Sequence, residues 1–398
     1  METASQRSDQ QSVQESYDVL AQRIIDNGIL NDPWTEGLPR FAQKPLILSA
    51  SRQRELYRAA ESVASVYNEV CQLCENDPSL VDGFLQLTPF QKAMWESSAP
   101  LWHGLARADI FMTDEGLQFT EINSDTPTGE AEAVVLNELL HAFHPGVEDP
   151  NAGLGPAYKA LLDEFSEPVL AAGLPKRMGI VYPTEFTEDL ALVRLFRAWF
   201  ESWGWEVVLG SPYNLSIDQN GTLRLFDTPV AAVLRHYKTD WWGERQPVWS
   251  DEEIRDREPL SEPLGMMFAA SLQQRVAILN PFGAVIPQNK RSMALMWEKI
   301  HRFSPFAQQT IRKYIPFSSR LEVMHLEQLL AEKDDWVLKS DYGAEGEEVI
   351  LGRLTPEREW KQSLQLATSG HWIAQRYFEA TRDTDGHNVN YGVFLVAG

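Results

Sequence analysis

Four polar side chains in one predicted hairpin have the types and spacing to act together on a metal ion or a phosphate. Arg107 and Asp109 are two residues apart in a predicted strand, so both lie on the same face. Glu121 and Asn123 share a face in the same way on the returning strand. The hairpin would gather oxygen ligands of the kind that Mg²⁺ prefers, with a guanidinium beside them. The same spacing also suits an ordinary solvent-facing hairpin edge.

Two lysines and a glycine-containing loop supply candidate phosphate-binding groups nearer the C-terminus. Lys339 ends a predicted strand and precedes a loop that contains Gly343 and Gly346. A lysine meets a phosphate as a point charge, and backbone N–H groups of a flexible loop can cover the same anion. Lys290 lies at a predicted helix start. A strand–turn–strand with glycines is also common in plain hairpins, so this block alone leaves both interpretations open.

The predicted strand Trp372–Phe378 carries Gln375 as a polar group among apolar neighbours. An amide on an apolar strand is what a purine pocket requires, and it is equally compatible with a core strand. We therefore treat Gln375 as a candidate purine contact.

Two cysteines, Cys71 and Cys74, have a C-x-x-C spacing that could indicate redox chemistry. They lie near the end of a predicted helix, away from the strand end and helix N-terminus that would lower a thiol pKa. We predict that both are structural thiols.

The elements that must position these groups can be predicted from periodicity. Residues 17–80 are mostly helical, and Thr88-Pro89 is a typical helix start. Strands at 178–182 and 205–209 flank a helix that we expect Thr187 to cap, and this order predicts a parallel pair with a right-handed crossover. The first of these strands is not followed by a glycine-rich fingerprint, so the unit is not predicted to bind a dinucleotide.

The remaining predicted elements lead to the lysines. A helix at 262–277 is followed by a short strand, Ala284–Ile286, and by a helix that opens at Pro287 and continues through Ile300. The last third alternates between strands and helices, with predicted strands at 336–339, 348–351, 372–378 and 388–396.

The composition limits the possible classes of function. The chain has 398 residues, 43% of them hydrophobic, which predicts about two to three packed units. Its formal charge of −22 argues against a nucleic-acid partner, because phosphate backbones are bound by basic surfaces. No apolar run approaches the ~18 residues of a membrane span, and the N-terminus does not read as a secretory signal. We expect a cytoplasmic protein with small-molecule substrates and no membrane partner.

The most specific block is RAD…EINSDTPTG at Arg107–Gly129, in which R-x-D and E-x-N flank the twelve-residue step from Asp109 to Glu121. With it, the chain resembles the synthetase part of the glutathionylspermidine synthase family, ATP-grasp ligases that join a peptide carboxylate to a polyamine. Looser blocks support the resemblance: HYKTDWWGE at His236–Glu244, NK at Asn289-Lys290, KSDYGAEGEEV at Lys339–Val349 and AQRYF at Ala374–Phe378.

The order of the blocks bears on the fold. In ordinary ATP-grasp enzymes the acidic metal ligands follow the phosphate-binding lysines, whereas here the hairpin precedes Lys290 and Lys339. The resemblance therefore implies an α+β, circularly permuted ATP-grasp-like fold with an inserted βαβ pre-ATP-grasp-type domain and a helical N-terminal region. We expect a flexible tail at 1–16, the helical and metal-binding half at 17–145, an α/β substrate-side domain at 146–280 and an ATP-binding half at 281–398.

The resemblance also implies roles for individual residues. Mg²⁺ would be held by Asp109, Glu121 and Asn123, and Arg107 would stabilise charge on the transferring phosphoryl group. The predicted ATP contacts are Lys290, Lys339, Gly343, Gly346 and Gln375, and the predicted peptide contacts are Thr126, Thr128, Lys238 and Thr239.

Two departures from the family pattern bear on the substrate. The family's loop often carries an arginine after its first glycine, where this chain has Ala344, and a further substrate-contacting arginine lies past the last strand of the family. The implied function is an ATP- and Mg²⁺-dependent ligase that joins a glutathione-like carboxylate to a polyamine-like amine. The alternatives are an ATP-binding homologue without this ligase activity and an interaction protein with no nucleotide site.

Overall fold

A computed structural model describes residues 17–141, 144, 146–185, 187–244, 260–343, 348–367, 371–383 and 386–398. The tail predicted at 1–16, Ala344 and Gly346 lie outside the described residues. Everything below refers to the described part of the chain.

The helices begin mainly where a polar side chain can accept the first free backbone N–H groups. Ser49 accepts from Arg52 N at the start of the longest helix, and Thr88 forms a reciprocal capping box with Gln91. The described α-helices are α1 17–27, α2 Ala50–Asn76, α3 Pro89–Ser98, α4 Glu130–His141, α5 Leu154–Ala171, α6 Leu190–Ser202, α7 Thr239–Glu244, α8 Ser261–Leu272, α9 Val285–Gln288, α10 Arg291–Glu298, α11 Pro305–Tyr314, α12 Leu326–Ala331 and α13 Glu357–Ala367.

The strands form three larger sheets and two small ones. They are β1 Trp34–Thr35, β2 Leu38–Pro39, β3 Leu105–Thr113, β4 Gly116–Asn123, β5 Arg177–Val181, β6 Glu206–Gly210, β7 Leu215–Ile217, β8 Leu223–Leu225, β9 Thr228–Pro229, β10 Ala232–Arg235, β11 Ala277–Leu279, β12 Ser318–Arg320, β13 Trp336–Ser340, β14 Val349–Leu351, β15 Trp372–Arg376 and β16 Asn390–Val396.

The predicted hairpin is present as β3 and β4, with the C-terminal strand β16 on its other side in the order β16-β3-β4. Arg107 lies opposite Asn123, and Asp109 lies opposite Glu121. The register then shifts, so that Ile110 pairs with Phe119 and Thr120 has no residue opposite it. This bulge leaves Thr120 outside the regular ladder, as an inserted residue in a strand does.

The α/β unit forms a parallel sheet in the order β11-β10-β5-β6. Its strands β5 and β6 flank α6 as predicted. The aromatic side chains of Tyr158, Phe196 and Phe200 pack against the sheet through Met178 and Ile180. These side chains close one face of the sheet, as a parallel sheet requires.

Two local predictions in this region are wrong. The expected strand Ala284–Ile286 is helical, covered by a 3₁₀ turn and α9, because an apolar run that is buried on all sides has no strand-like alternation. Helix α6 begins at Leu190, not after a Thr187 cap, and its N-cap residue Asp189 makes no capping side-chain bond.

The third larger sheet is antiparallel, in the order β12-β15-β13-β14. It carries Lys339 at the end of β13 and Gln375 on β15, opposite Val337. The core that connects this half to the hairpin runs from α2 through β3 and β4 to α10 and α11. Cys71 and Cys74 lie in that core as free, buried thiols whose pKa values are raised by burial, which agrees with a structural role. No described helix has the length and hydropathy needed to cross a bilayer.

Asn280 connects the parallel sheet to the hairpin. Its Oδ1 accepts from Leu105 N at 2.8 Å, and its Nδ2 lies 2.7 Å from Leu105 O, 2.9 Å from Ser124 O and 3.2 Å from Asp125 O. A Cβ on Gly104 would collide with Asn280 Oδ1, so glycine allows this close approach. One buried amide thus holds the strand that enters the hairpin and the segment that leaves it.

Replacing Asn280 with Ala should lower the free energy of unfolding by about 2–3 kcal/mol, because a buried N–H and buried carbonyls would lose their partner. Urea denaturation followed by intrinsic fluorescence measures this change. Asn76→Ala is the matched control, since the exposed Asn76 amide contacts only Gln72 O among the printed bonds, and we expect a change below about 0.5 kcal/mol. Equal effects of the two substitutions would contradict the connecting role of Asn280.

Candidate functional site

Arg107 and Asp109 form a two-bonded ion pair on the exposed face of the hairpin sheet. Arg107 Nε donates to Asp109 Oδ1 at 2.7 Å, and Nη2 donates to Oδ2 at 3.0 Å. The remaining Nη1 donates to Thr128 O at 2.7 Å. The guanidinium thus binds both the predicted metal ligand and the segment that follows the hairpin, and its neighbouring carboxylates raise the pKa of Arg107 against the opposing effect of burial.

Lys290 pairs with the second predicted metal ligand. Its Nζ lies 2.9 Å from Glu121 Oε2 and donates to Gly343 O at 2.6 Å. Burial alone would raise the pKa of Glu121, but the charges of Lys290, Lys339 and Arg107 lower it, so the carboxylate remains ionised. Lys290 therefore connects the hairpin to the first residue of the glycine loop.

Lys339 reaches the same place from the opposite sheet. Its Nζ donates to Thr120 O at 3.1 Å, the carbonyl of the residue that the bulge leaves outside the ladder. Burial lowers the pKa of Lys339 to about 8, with the charge of Lys290 adding to the effect and the carboxylates of Glu121 and Asp109 opposing it. The bulge therefore supplies an acceptor for an ammonium group that has little contact with solvent.

The hairpin face opens onto a cavity of about 590 Å³. The predicted metal ligands, Arg107, Thr126, Thr128 and Lys238 all border it. The full set of lining residues also includes Asp125, Pro183, Glu188, Asp189, His236, Asp240, Trp241, Gln288, Tyr342 and Asn390. The hairpin and the carboxyl ends of the parallel strands β5 and β10 thus face one space.

Two predicted contact residues have other partners. Thr239 is buried, and its N and Oγ1 donate to Asp125 Oδ2 at 2.7 and 3.1 Å. Gln375 is buried in the third sheet, where Nε2 donates to Ser318 Oγ at 3.0 Å. Both lie outside the described lining of this cavity. Of the predicted glycines, Gly343 is placed by its bond to Lys290, and Gly346 lies outside the described residues.

The sequence prediction missed an acidic wall on the α/β side, formed by Glu188, Asp189 and Asp240. Asp189 lies 3.2 Å from His236 Nε2. A sequence signal was available, because these residues follow the carboxyl ends of two parallel strands, where α/β sheets bind ligands. The wall makes this part of the cavity attractive to a cation.

The donor set on the hairpin fits a magnesium ion and its phosphate ligands. Asp109, Glu121 and Asn123 offer two carboxylates and an amide at the cavity, the hard oxygens that Mg²⁺ takes. Within the described residues, buried Asn123 Nδ2 has no hydrogen-bond partner, and a phosphate oxygen could accept its proton. The described residues contain no cluster of three His, Cys, Asp or Glu side chains with metal-site geometry, in keeping with a set that has only two carboxylates, each paired to a cation.

Comparisons with known proteins agree with this architecture. A solved glutathione synthetase-like effector, GSS30 of Globodera pallida, is 13% identical, with a TM-score of 0.62 over 96% of this chain and 89% of its own. A putative gamma-glutamylcysteine synthetase of Methylobacillus flagellatus KT is 12% identical, with a TM-score of 0.45 over 89% of this chain and 82% of its own. No curated protein matches the sequence.

The fold is thus a mixed α/β fold of the kind found in glutathione synthetase-like proteins. The model of the glutathionylspermidine synthase preATP-grasp family matches residues 43–398. The chain belongs to the glutathionylspermidine synthase family, as the hairpin block predicted.

Lys339→Met should stabilise the protein by about 3 kcal/mol at pH 7, because burial holds the pKa of Lys339 at about 8 against 10.5 in the unfolded chain. Below pH 8 the folded state bears the full cost of the buried charge; the cost shrinks as the pH rises through 8 and is gone above 10.5. The stability gain of the variant should shrink over the same range. Urea denaturation between pH 7 and 10 measures it, with Lys361→Met at an exposed helix position as the control. A gain that does not change with pH would contradict the assignment to Lys339 charge.

Proposed function

We propose that the protein is an ATP- and Mg²⁺-dependent ligase that forms an amide between a peptide carboxylate, such as that of glutathione, and a polyamine-like amine. The observation that carries the proposal is the convergence of Arg107, Asp109, Glu121, Lys290 and Lys339 within one network beside a large cavity. A cluster of alternating cations and carboxylates of this kind can hold both a metal ion and the phosphates that it binds.

The proposed fold is a circularly permuted ATP-grasp. The hairpin with the metal ligands comes first in the chain, and Lys290 and Lys339 reach it from later elements. The contacts between them support a composite site whose two parts are far apart in the sequence. Mg²⁺ would be held by Asp109 and Glu121, with Asn123 beside them, and would supply Lewis-acid stabilisation of phosphate charge.

The chain's own residues would then act in sequence. Arg107 would stabilise the phosphoryl group as it moves to the peptide carboxylate, which has no good leaving group until it becomes an acyl phosphate. Lys290 and Lys339 would hold the ATP phosphates, and Gly343 begins the loop that would exclude water from that intermediate. An amine would attack the acyl carbon, and phosphate would leave.

Binding of substrates is assigned to the rest of the cavity. Thr126, Thr128 and Lys238 line it and would contact the peptide, with Thr239 fixing Asp125 behind them. Glu188, Asp189 and Asp240 would attract the cationic amine. Gln375, buried on β15, would contribute to the adenine side from its own sheet, and Gly346 would belong to the loop over the phosphates.

One observation favours a second candidate, an ATP-binding protein that does not ligate glutathione to spermidine. Ala344 replaces the arginine that the family often uses for the peptide. ADP release should therefore be measured with Mg·ATP over a matrix of peptide acids and amines that includes glutathione and spermidine. Dependence on both an acid and an amine supports the ligase; ATP binding without acid-stimulated ADP release across the matrix supports the second candidate.

Asp109→Asn and Glu121→Gln should each reduce ADP formation at least about 100-fold, because each removes a negatively charged ligand from the metal site. Circular dichroism and thermal melting should show a folded protein. Asp114→Asn, in the exposed hairpin turn, is the matched control and should retain full turnover. Undiminished turnover in both site variants would overturn the proposed metal site.

Glu121→Gln should also bind metal-free ATP about tenfold more tightly than the unaltered protein, a gain of about 1.4 kcal/mol. The substitution releases Lys290 from its ion pair and removes a negative charge near the phosphates. Calorimetric titration with ATP in EDTA measures the affinity, and Glu115→Gln in the exposed turn controls for net charge. Weaker binding of metal-free ATP by Glu121→Gln would show that the pair does not compete with phosphate.

A further inference from the structure

Asp189 and His236 form a buried-to-exposed pair in the wall of the cavity. His236 Nε2 lies 3.2 Å from Asp189 Oδ2; the His236 side chain is 5% exposed and that of Asp189 is 26% exposed. Both side chains line the cavity that contains the metal-ligand face of the hairpin. The imidazole is thus enclosed, while the carboxylate can meet a ligand.

The backbone explains why the two residues meet. His236 directly follows β10, and Asp189 is the N-cap residue of α6 after β5. Strands β5 and β10 are parallel neighbours, with Val181 opposite Arg235, so both connections leave the same edge of the sheet. Asp189 makes no capping bond to its own helix, and its carboxylate is bonded to His236.

The charges around the pair keep Asp189 ionised. Burial works against ionisation, but the hydrogen bond and charge of His236 and the charge of Lys238 lower the pKa of Asp189. The other facing groups are Glu188 and Asp240 in the same wall, Glu130 and Tyr158 behind His236, and the ion pair of Arg235 with Asp125. A proton added to the imidazole would lie against a carboxylate that already carries a negative charge.

The proposed ligase needs a proton acceptor at this place. An aliphatic amine is an ammonium ion at neutral pH, and an ammonium nitrogen has no lone pair with which to attack an acyl phosphate. The acidic wall that would attract the ammonium group includes Asp189 itself. A neutral imidazole behind that carboxylate is the nearest described group in the wall that can take up a proton and stay paired.

We propose that the Asp189–His236 pair accepts the proton that the ammonium group of the amine substrate loses before it attacks the acyl phosphate. The ammonium N–H bond breaks, and its proton passes through Asp189 to His236, which becomes an imidazolium beside the Asp189 carboxylate. The freed lone pair forms the new C–N bond as the acyl C–O bond to phosphate breaks. The second nitrogen proton leaves with the phosphate, so atoms and charges balance.

This inference rests on the proposed ligase function, and the test separates the two with a second nucleophile. Hydroxylamine is uncharged at neutral pH and needs no base, so it traps an acyl phosphate as a hydroxamate. His236→Gln keeps a hydrogen-bonding group near Asp189 but has no titratable nitrogen. His371→Gln is the matched control, because His371 is also paired with an aspartate, Asp341 at 2.9 Å, away from the described lining of this cavity.

His236→Gln should lose about 100-fold in turnover with the amine at pH 7 while hydroxamate formation stays within about twofold of the unaltered protein. The loss should narrow as the pH rises and the amine loses its proton in solution, and the acidic limb of the pH–rate profile should flatten. His371→Gln should resemble the unaltered protein in both assays.

Three results would overturn the assignment. Full amine turnover by His236→Gln with an unchanged pH profile would show that His236 takes no proton. Equal losses of amide and hydroxamate would show that it has only a structural role. If the unaltered protein forms no hydroxamate with any acid in the matrix, the ligase function fails, and the proton-acceptor role fails with it.

Discussion

The ion pair between Lys290 and Glu121 is the contact on which the arrangement of the site depends. It joins a residue that precedes α10 to the hairpin strand β4, and Lys290 also donates to Gly343 at the start of the glycine loop. Both charges have little contact with water, so removing either one would leave the other without compensation at a cost of several kcal/mol. The pair therefore fixes the distance between the two parts of the site.

The same pairing governs how the site would take a ligand. Arg107 holds Asp109, and Lys290 holds Glu121, so each carboxylate that would bind a metal is already joined to a cation that would bind a phosphate. A metal ion and a phosphate arriving together can exchange partners with both pairs, whereas either alone must break a pair without compensation. Function also has a stability cost here, since the buried Lys339 ammonium is held by one carbonyl that a bulge provides.

The second constraint is the position of the parallel sheet relative to the hairpin. Asn280, which follows β11, bonds to backbone groups of Leu105, Ser124 and Asp125, so the sheet and the ends of the hairpin move as one. That attachment brings the loops after β5 and β10 to the same cavity as the metal ligands. An acidic wall and a cationic, metal-binding face thereby border one volume, which suits a reaction between an amine and a phosphorylated acid.

The sequence by itself determined the elements with strong local signals: the β3–β4 hairpin with its two polar pairs, the Thr88 capping box and the β5–α6–β6 unit. Local periodicity could not decide that Val285 and Ile286 are helical, since they are buried on every side, or that Asp189 turns away from its helix towards His236. Only the tertiary structure placed Lys290 on Glu121, Lys339 on the Thr120 carbonyl and the Asp189–His236 pair across the cavity. Those contacts join residues far apart in the chain, and their geometry follows from sheet packing and charge compensation, which no local pattern encodes.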